Sequence, residues 1–178
     1  QESLYNNKIG TGIVATGYRA LFNDSVGIVL SAGTLWNNNT PTYSSYGNIA
    51  YGTRALYTNT TGERNIAIGD YAMGVNTTGS YNVAIGHGSL DANTTANYNT
   101  ALGYQALTAN TTGDLNTAIG VQAMSGSTNN DRNVAVGNLA GSALKTGSSN
   151  VILGSRAGQA LTTGGRSIAI GDLALQAE

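Results

Sequence analysis

The sequence predicts an all-β fold, a parallel β-solenoid of 17-residue coils, and three observations carry that prediction. First, the pattern Asn-x-Ala-φ-Gly, with φ a bulky apolar residue, recurs at Asn48, Asn65, Asn82, Asn99, Asn116, Asn133 and, with Ile for Ala, Asn150, and at Ser167 with Ser for Asn, without one slip in spacing. A strict short period marks an array whose units contact mainly their neighbours. Second, each pattern is short, rich in β-branched residues and closed by glycine, as a strand is. Third, none of these core positions is charged, which is the pattern of parallel strands covered on both faces.

Numbering the unit from its Asn as position 1, alternation separates the strand's two faces. Val83 and Ile85 fall on one, and Asn82, Ala84 and Gly86 on the other. After the glycine, two variable residues precede Ala-Leu or a relative (Ala72-Met73, Ser89-Leu90, Ala106-Leu107, Ala123-Met124, Ala174-Leu175), which predicts a second, shorter buried segment. A turn follows at Asn59-Thr60-Thr61-Gly62, Asn76-Thr77-Thr78-Gly79, Asn93-Thr94-Thr95-Ala96 and Asn110-Thr111-Thr112-Gly113. Asn and Gly there suit positive-φ positions. Two late units depart together: Gly141 and Gly158 replace the usual Leu, and Leu144 and Leu161 appear three residues later in place of the turn Asn. That predicts a repacked second segment.

One coil per unit places successive strands about 4.8 Å apart, so eight of them span roughly 40 Å. Asn48, Asn65, Asn82, Asn99, Asn116, Asn133 and Asn150 then stack as a side-chain amide ladder. The charges of the array fall after the core glycine (Arg54, Asp70, Arg156, Asp172), beside the apolar pair (Asp91), at the turn (Lys145), or just before the next core (Glu63, Arg64, Asp114, Asp131, Arg132, Arg166). Those positions face water.

Residues 1–47 follow the repeat only loosely. Gly17-Tyr18-Arg19-Ala20-Leu21 matches Gly52-Thr53-Arg54-Ala55-Leu56, which predicts one or two imperfect coils with a capping or docking role ahead of an eight-coil array over 48–178. Trp36-Asn37-Asn38-Asn39-Thr40-Pro41 reads as a loop, because Pro41 cannot donate to a ladder. Tyr18, Phe22, Trp36, Tyr43, Tyr46, Tyr51 and Tyr57 concentrate early and form a candidate docking or ligand patch, or else cap the first coil. The sequence stops part-way through a unit at Glu178, so a following subunit or domain is expected over that end.

Composition narrows the function. Charged residues are 10% of the 178 and the net charge is -1, so no long-range field attracts nucleic acid or an anionic membrane. No apolar run approaches the roughly 18 residues of a membrane span, and Gln1 opens neither a charged nor an apolar signal region. With no cysteine and one histidine, His87, a zinc site or a nucleophile-base pair has no residues to build it. His87 shares its position with Asp70, Tyr104, Val121, Asn138, Ser155 and Asp172, as a solvent position does. No calcium loop or phosphate loop appears, so no catalysis, metal or cofactor is expected. The paired threonines invite comparison with ice-binding arrays, but adjacent residues of a turn point in different directions and suit turn chemistry better. Asn59, Asn76, Asn93 and Asn110 match the glycosylation triplet on what read as exposed turns.

The motif Asn82-Val83-Ala84-Ile85-Gly86, repeated in phase and followed by Ala or Ser three residues after the glycine, resembles the head repeat of trimeric autotransporter adhesins of the YadA type. It is also similar to repeats in some bacteriophage tail-fibre proteins and other bacterial surface fibres. The resemblance covers about residues 48–178; the unit here is longer by its Asn-Thr-Thr-Gly turn, and no heptad stalk or membrane-anchoring barrel is present. It implies a left-handed parallel β-roll with three chains side by side, and attachment to a surface, matrix or host receptor. The expected protein is therefore a non-enzymatic structural or adhesive subunit, outside the cell or on its surface. It would self-associate as a homotrimer or head-to-tail fibre, with a host-surface protein or glycan as ligand. A tail-fibre segment of a virion and a monomeric ice- or glycan-binding solenoid are the alternatives.

Overall fold

The structure is a computed structural model that describes residues 47–176 in full and the backbone of Gly27–Val29 and Thr34–Trp36. Gly27–Val29 (β1) and Thr34–Trp36 (β2) pair antiparallel in a two-stranded sheet of their own. Trp36, expected to open a loop, is the last residue of β2. Tyr18, Phe22, Tyr43, Tyr46 and Pro41 lie outside the described residues.

Every repeat contributes one three-residue strand: Ile49–Tyr51 (β3), Ile66–Ile68 (β4), Val83–Ile85 (β5), Thr100–Leu102 (β6), Thr117–Ile119 (β7), Val134–Val136 (β8), Val151–Leu153 (β9) and Ile168–Ile170 (β10). They form one parallel sheet in sequence order, each residue paired with its equivalent in the next unit, as Ala84 with Ala101 and Ala101 with Ala118. The result is a β-solenoid of about seven full coils between the eight strands, with no helix among the described residues. The expected count of eight coils holds for strands only.

The small-residue face of the strand turns inward. Ala50, Ala67, Ala84, Ala101, Ala118 and Ala135 are fully buried, and so are Leu56, Met73, Leu90, Leu107 and Met124 from the second segment. The lumen is thin, so a methyl from one wall and a bulky chain from the other fill it. Where Gly141 and Gly158 replace the bulky residue, the strand compensates. Ile152 stands in the alanine column, and its Cδ1 lies 2.9 Å and 3.2 Å from where their Cβ atoms would be. Leu144 is also fully buried. The second segment is repacked, as expected, with Ile152 the partner that completes the exchange.

The turn chemistry corrects the sequence reading. Positive φ falls not on the Asn and Gly of the Asn-Thr-Thr-Gly turn but on positions 5, 7, 9 and 17 of the unit, as at Gly103 (137°), Gln105 (52°), Leu107 (52°) and Leu115 (61°). A non-glycine left-handed residue costs roughly 1–2 kcal/mol. Here it is held by bonds to adjacent coils: the Gln105 amide donates to the His87 carbonyl at 2.9 Å, and the Leu107 amide to the Ala123 carbonyl at 3.0 Å. The turn glycine is required by crowding instead. A Cβ on Gly79 would lie 2.4 Å from the Ala96 carbonyl oxygen and 2.5 Å from Asn76 Oδ1.

Candidate functional site

The regular period of polar residues builds the interior. Asn48, Asn65, Asn82, Asn99, Asn116, Asn133 and Asn150 are fully buried. Each Oδ1 accepts the backbone amide of the same position one coil on, as Asn116 does from Asn133 at 3.0 Å. Each Nδ2 donates to the carbonyl fourteen residues later, as Asn99 does to Gly113 at 2.8 Å. Side-chain to side-chain bonds also link the column, including Asn116 Nδ2 to Asn99 Oδ1 at 3.1 Å and Asn150 Nδ2 to Asn133 Oδ1 at 2.9 Å. The ladder is thus less an amide stack than a series of clamps, each tying the amide just ahead of a strand to the preceding coil.

A second interior column runs beside the first. Asn59, Asn76, Asn93 and Asn110 are fully buried, not exposed. Asn76 Nδ2 donates to Asn59 Oδ1 at 2.7 Å and to the Gly79 carbonyl at 3.0 Å, and Asn93 repeats the pattern on Asn76 and Ala96. The folded chain offers no accessible amide nitrogen for a glycan at these four positions, which corrects the reading of that triplet as exposed. The phase of these residues with the first column was the available signal. The first threonine of each turn has a structural role as well: the hydroxyls of Thr60, Thr77, Thr94 and Thr111 donate to the carbonyls of Thr77, Thr94, Thr111 and Thr128 at 2.8–3.1 Å.

The other strand face points outward and carries the bulky side chains. Ile49 and Tyr51, Ile66 and Ile68, Val83 and Ile85, Thr100 and Leu102, and their successors to Ile170 form two parallel rows without a charge. They are half-buried or exposed, Leu102 at 42% and Ile168 at 69%. Strands whose pattern asks for cover on both faces are covered on one.

Aromatic columns flank these rows. Before the strands, Tyr81 stacks on Tyr98 (4.9 Å, 16°), and the Arg64 guanidinium lies over Tyr81, 5.0 Å from its centroid, and donates to its hydroxyl. After the strands, Arg54 lies 5.4 Å over Tyr71 and 5.7 Å over Tyr57, and exposed His87 stacks on Tyr104 (5.5 Å, 21°). Of the seven aromatics in the expected early patch, only Tyr51, exposed, and Tyr57, half-buried, have described side chains. They sit on the array among these columns. The hydroxyls of Tyr81 and Tyr71 accept hydrogen bonds from Arg64 and Arg54 of the preceding coils.

No charged residue of the described array is buried, as the charge positions predicted. Among the described residues no three His, Asp or Glu side chains come together to hold a metal, and no helix is long and apolar enough to cross a membrane. Two carboxyls titrate above their ordinary values: Glu63 through partial burial, offset by Arg64, and Asp91 through partial burial, offset by His87 and by a hydrogen bond from the Gly74 amide. A raised folded value means that Asp91 favours folding when protonated, below the ordinary carboxylate range, and that this contribution is lost as pH rises through the folded value. Asp91→Asn keeps an acceptor for Gly74 and removes the charge. It is expected to raise thermal stability slightly at pH 7, by less than about 1 kcal/mol given solvent screening, with no difference from wild type near pH 3. Thermal melts at the two pH values check this.

Fold and face together define a class: a parallel β-solenoid with an amide-clamped interior and an uncharged apolar outer sheet. No protein-family model, curated protein or solved structure matches the chain.

Proposed function

We propose that this chain is a non-enzymatic structural subunit of a surface fibre or adhesin head, and that it self-associates through the outward face of its eight-stranded sheet. The observation that supports this most strongly is the double row of uncharged side chains from Ile49 to Ile170, left partly exposed along the whole array. Contiguous apolar patches of this kind mark association surfaces. Burying them against copies of the same chain gives the strands the second cover that their composition calls for. Because each side chain repeats with the coil, two arrays laid together meet the same chemistry at every rung, which suits an elongated assembly better than a compact globular partner.

Three chains, left-handed coils and an extracellular location follow from the resemblance to the head repeats of trimeric adhesins and are part of the proposal. So is a host-surface protein or glycan as the ligand. A phage tail-fibre segment uses the same assembly and is the alternative within it. The ice-binding alternative is less well supported, because the first threonine hydroxyl of each turn donates within the coil stack.

Lysines on the rows test the reading. Ile68 and Leu102 are exposed in the single chain, so Ile68→Lys with Leu102→Lys is expected to leave the circular-dichroism spectrum unchanged while reducing the assembly to monomers, since like charges then face one another across the contact. An assembly of unchanged mass would sink the proposed contact face.

A further inference from the structure

The two columns that flank the outward rows divide the charge between them. The column just before the strands holds Arg64, Arg132 and Arg166 and no acid, and the column just after them holds Asp70 and Asp172 and no Lys or Arg. Both columns are exposed at every rung from Arg64 to Asp172. Within one coil the matching members stand on opposite sides of a three-residue strand, roughly 15 Å apart by strand rise. They are out of each other's reach in the single chain, and they border rows for which other copies are the proposed cover.

Brought together from neighbouring copies, the two columns match rung by rung. Arg64 meets Asp70 beside β4 and Arg166 meets Asp172 beside β10, so opposite charges face each other at both ends of the array. Beside β5 and β6 the Tyr81–Tyr98 stack, 4.9 Å between centroids, faces the His87–Tyr104 stack, 5.5 Å between centroids. Leu115, 49% exposed, meets Val121, 46% exposed, beside β7. Arg132 meets Asn138, whose amide oxygen is an acceptor for it, and Ser149 meets Ser155. Like charges meet at none of these rungs.

We infer that neighbouring copies lie parallel and in register, with the column before the strands of one docked along the column after the strands of the next. This seam rests on the self-association proposed above and adds its orientation and register. Of the registers the described array allows, only this one makes two Arg–Asp pairs. A slip of one coil sets Arg64 opposite Thr53 or His87, and leaves Arg166 opposite Ser155 or past the last strand. An antiparallel neighbour sets each column against itself, where the arginines find no acid. Complementary charge of this kind fixes register and suppresses wrong pairings. Because two different columns meet, the contact is heterologous, and copies joined by it close into a ring when the rotation between them permits.

The chain has no cysteine, so cysteines introduced in pairs report the seam directly. Ser149→Cys with Ser155→Cys, both at exposed positions, is expected to give covalent oligomers on mild oxidation of the full chain, read by mass on a non-reducing gel. Within one chain these two positions stand too far apart, since a disulfide needs Cα atoms within about 7 Å. Each single substitution is expected to give no cross-link, and Ser149→Cys with Asn138→Cys, out of register by one coil or about 4.8 Å, to give much less than the matched pair. A single substitution that cross-links as well as the matched pair, a shifted pair that links better, or an oligomer whose matched pair stays unlinked overturns the seam while the self-association stands. Sedimentation equilibrium that shows only the single-chain mass removes the self-association itself, and the seam with it.

Discussion

Asn116→Leu is expected to be among the most damaging single changes in the array, although leucine is similar in size and better suited to an apolar core. Asn116 Oδ1 accepts the Asn133 amide at 3.0 Å and the Asn133 side chain at 3.2 Å, and its Nδ2 donates to the Asn130 carbonyl at 2.6 Å and to Asn99 Oδ1 at 3.1 Å. The substitution leaves the Asn133 amide and the Asn130 carbonyl without those partners, in a column that is fully buried. Each stranded buried group costs about 1–3 kcal/mol, so the expected loss is about 3–5 kcal/mol. Denaturant unfolding of the two proteins measures it, and a loss below about 1 kcal/mol, the size of an ordinary solvated hydrogen bond, would show that the column is not the clamp described.

The second large effect is expected at the core glycine. Gly120 has φ of 132°, and a Cβ there would lie 2.4 Å from the Gly137 carbonyl oxygen and 2.6 Å from its carbon, both backbone of the next coil. Gly120→Ala therefore forces the strand ends apart, against the bonds from the Gly137 amide to Ile119 and from the Gly120 amide to Leu102, each 2.8 Å. A loss above about 3 kcal/mol is expected, since strain and steric conflict act together. Gly171 separates the two causes. Its φ is 120°, but nothing lies within 4 Å of its Cβ position. Gly171→Ala is expected to lose only the conformational part, and equal losses at both sites would remove the crowding argument.

Much of this architecture was legible in the sequence because it repeats. The period set strand position and register, and the recurrence of Ala72-Met73 and its equivalents marked the second buried segment. Alternation divided each strand into two faces but did not say which enters the lumen. That is decided by width: alanine columns fit opposite Leu and Met, whereas Val and Ile rows do not. The left-handed backbone at Gln105, Leu107 and Leu115 left no trace, because the neighbouring coils impose it on residues that do not favour it. The turn asparagines looked like ordinary turn formers. Their burial follows from a ladder visible only once coils are stacked. Ile152 in an alanine column was readable as the answer to Gly141 and Gly158, yet a search for recurrence passes over the exception that makes the packing work. The candidate face was legible as an absence of charge, whereas the Tyr81–Tyr98 and His87–Tyr104 columns needed the register.

We propose that other copies of the chain cover the outward sheet face. Sedimentation equilibrium of the unmodified protein over a wide concentration range tests it most directly. A single species of three times the 18.1 kDa chain mass, unchanged on dilution, is expected. A stable, soluble species of one chain mass at every concentration would contradict it.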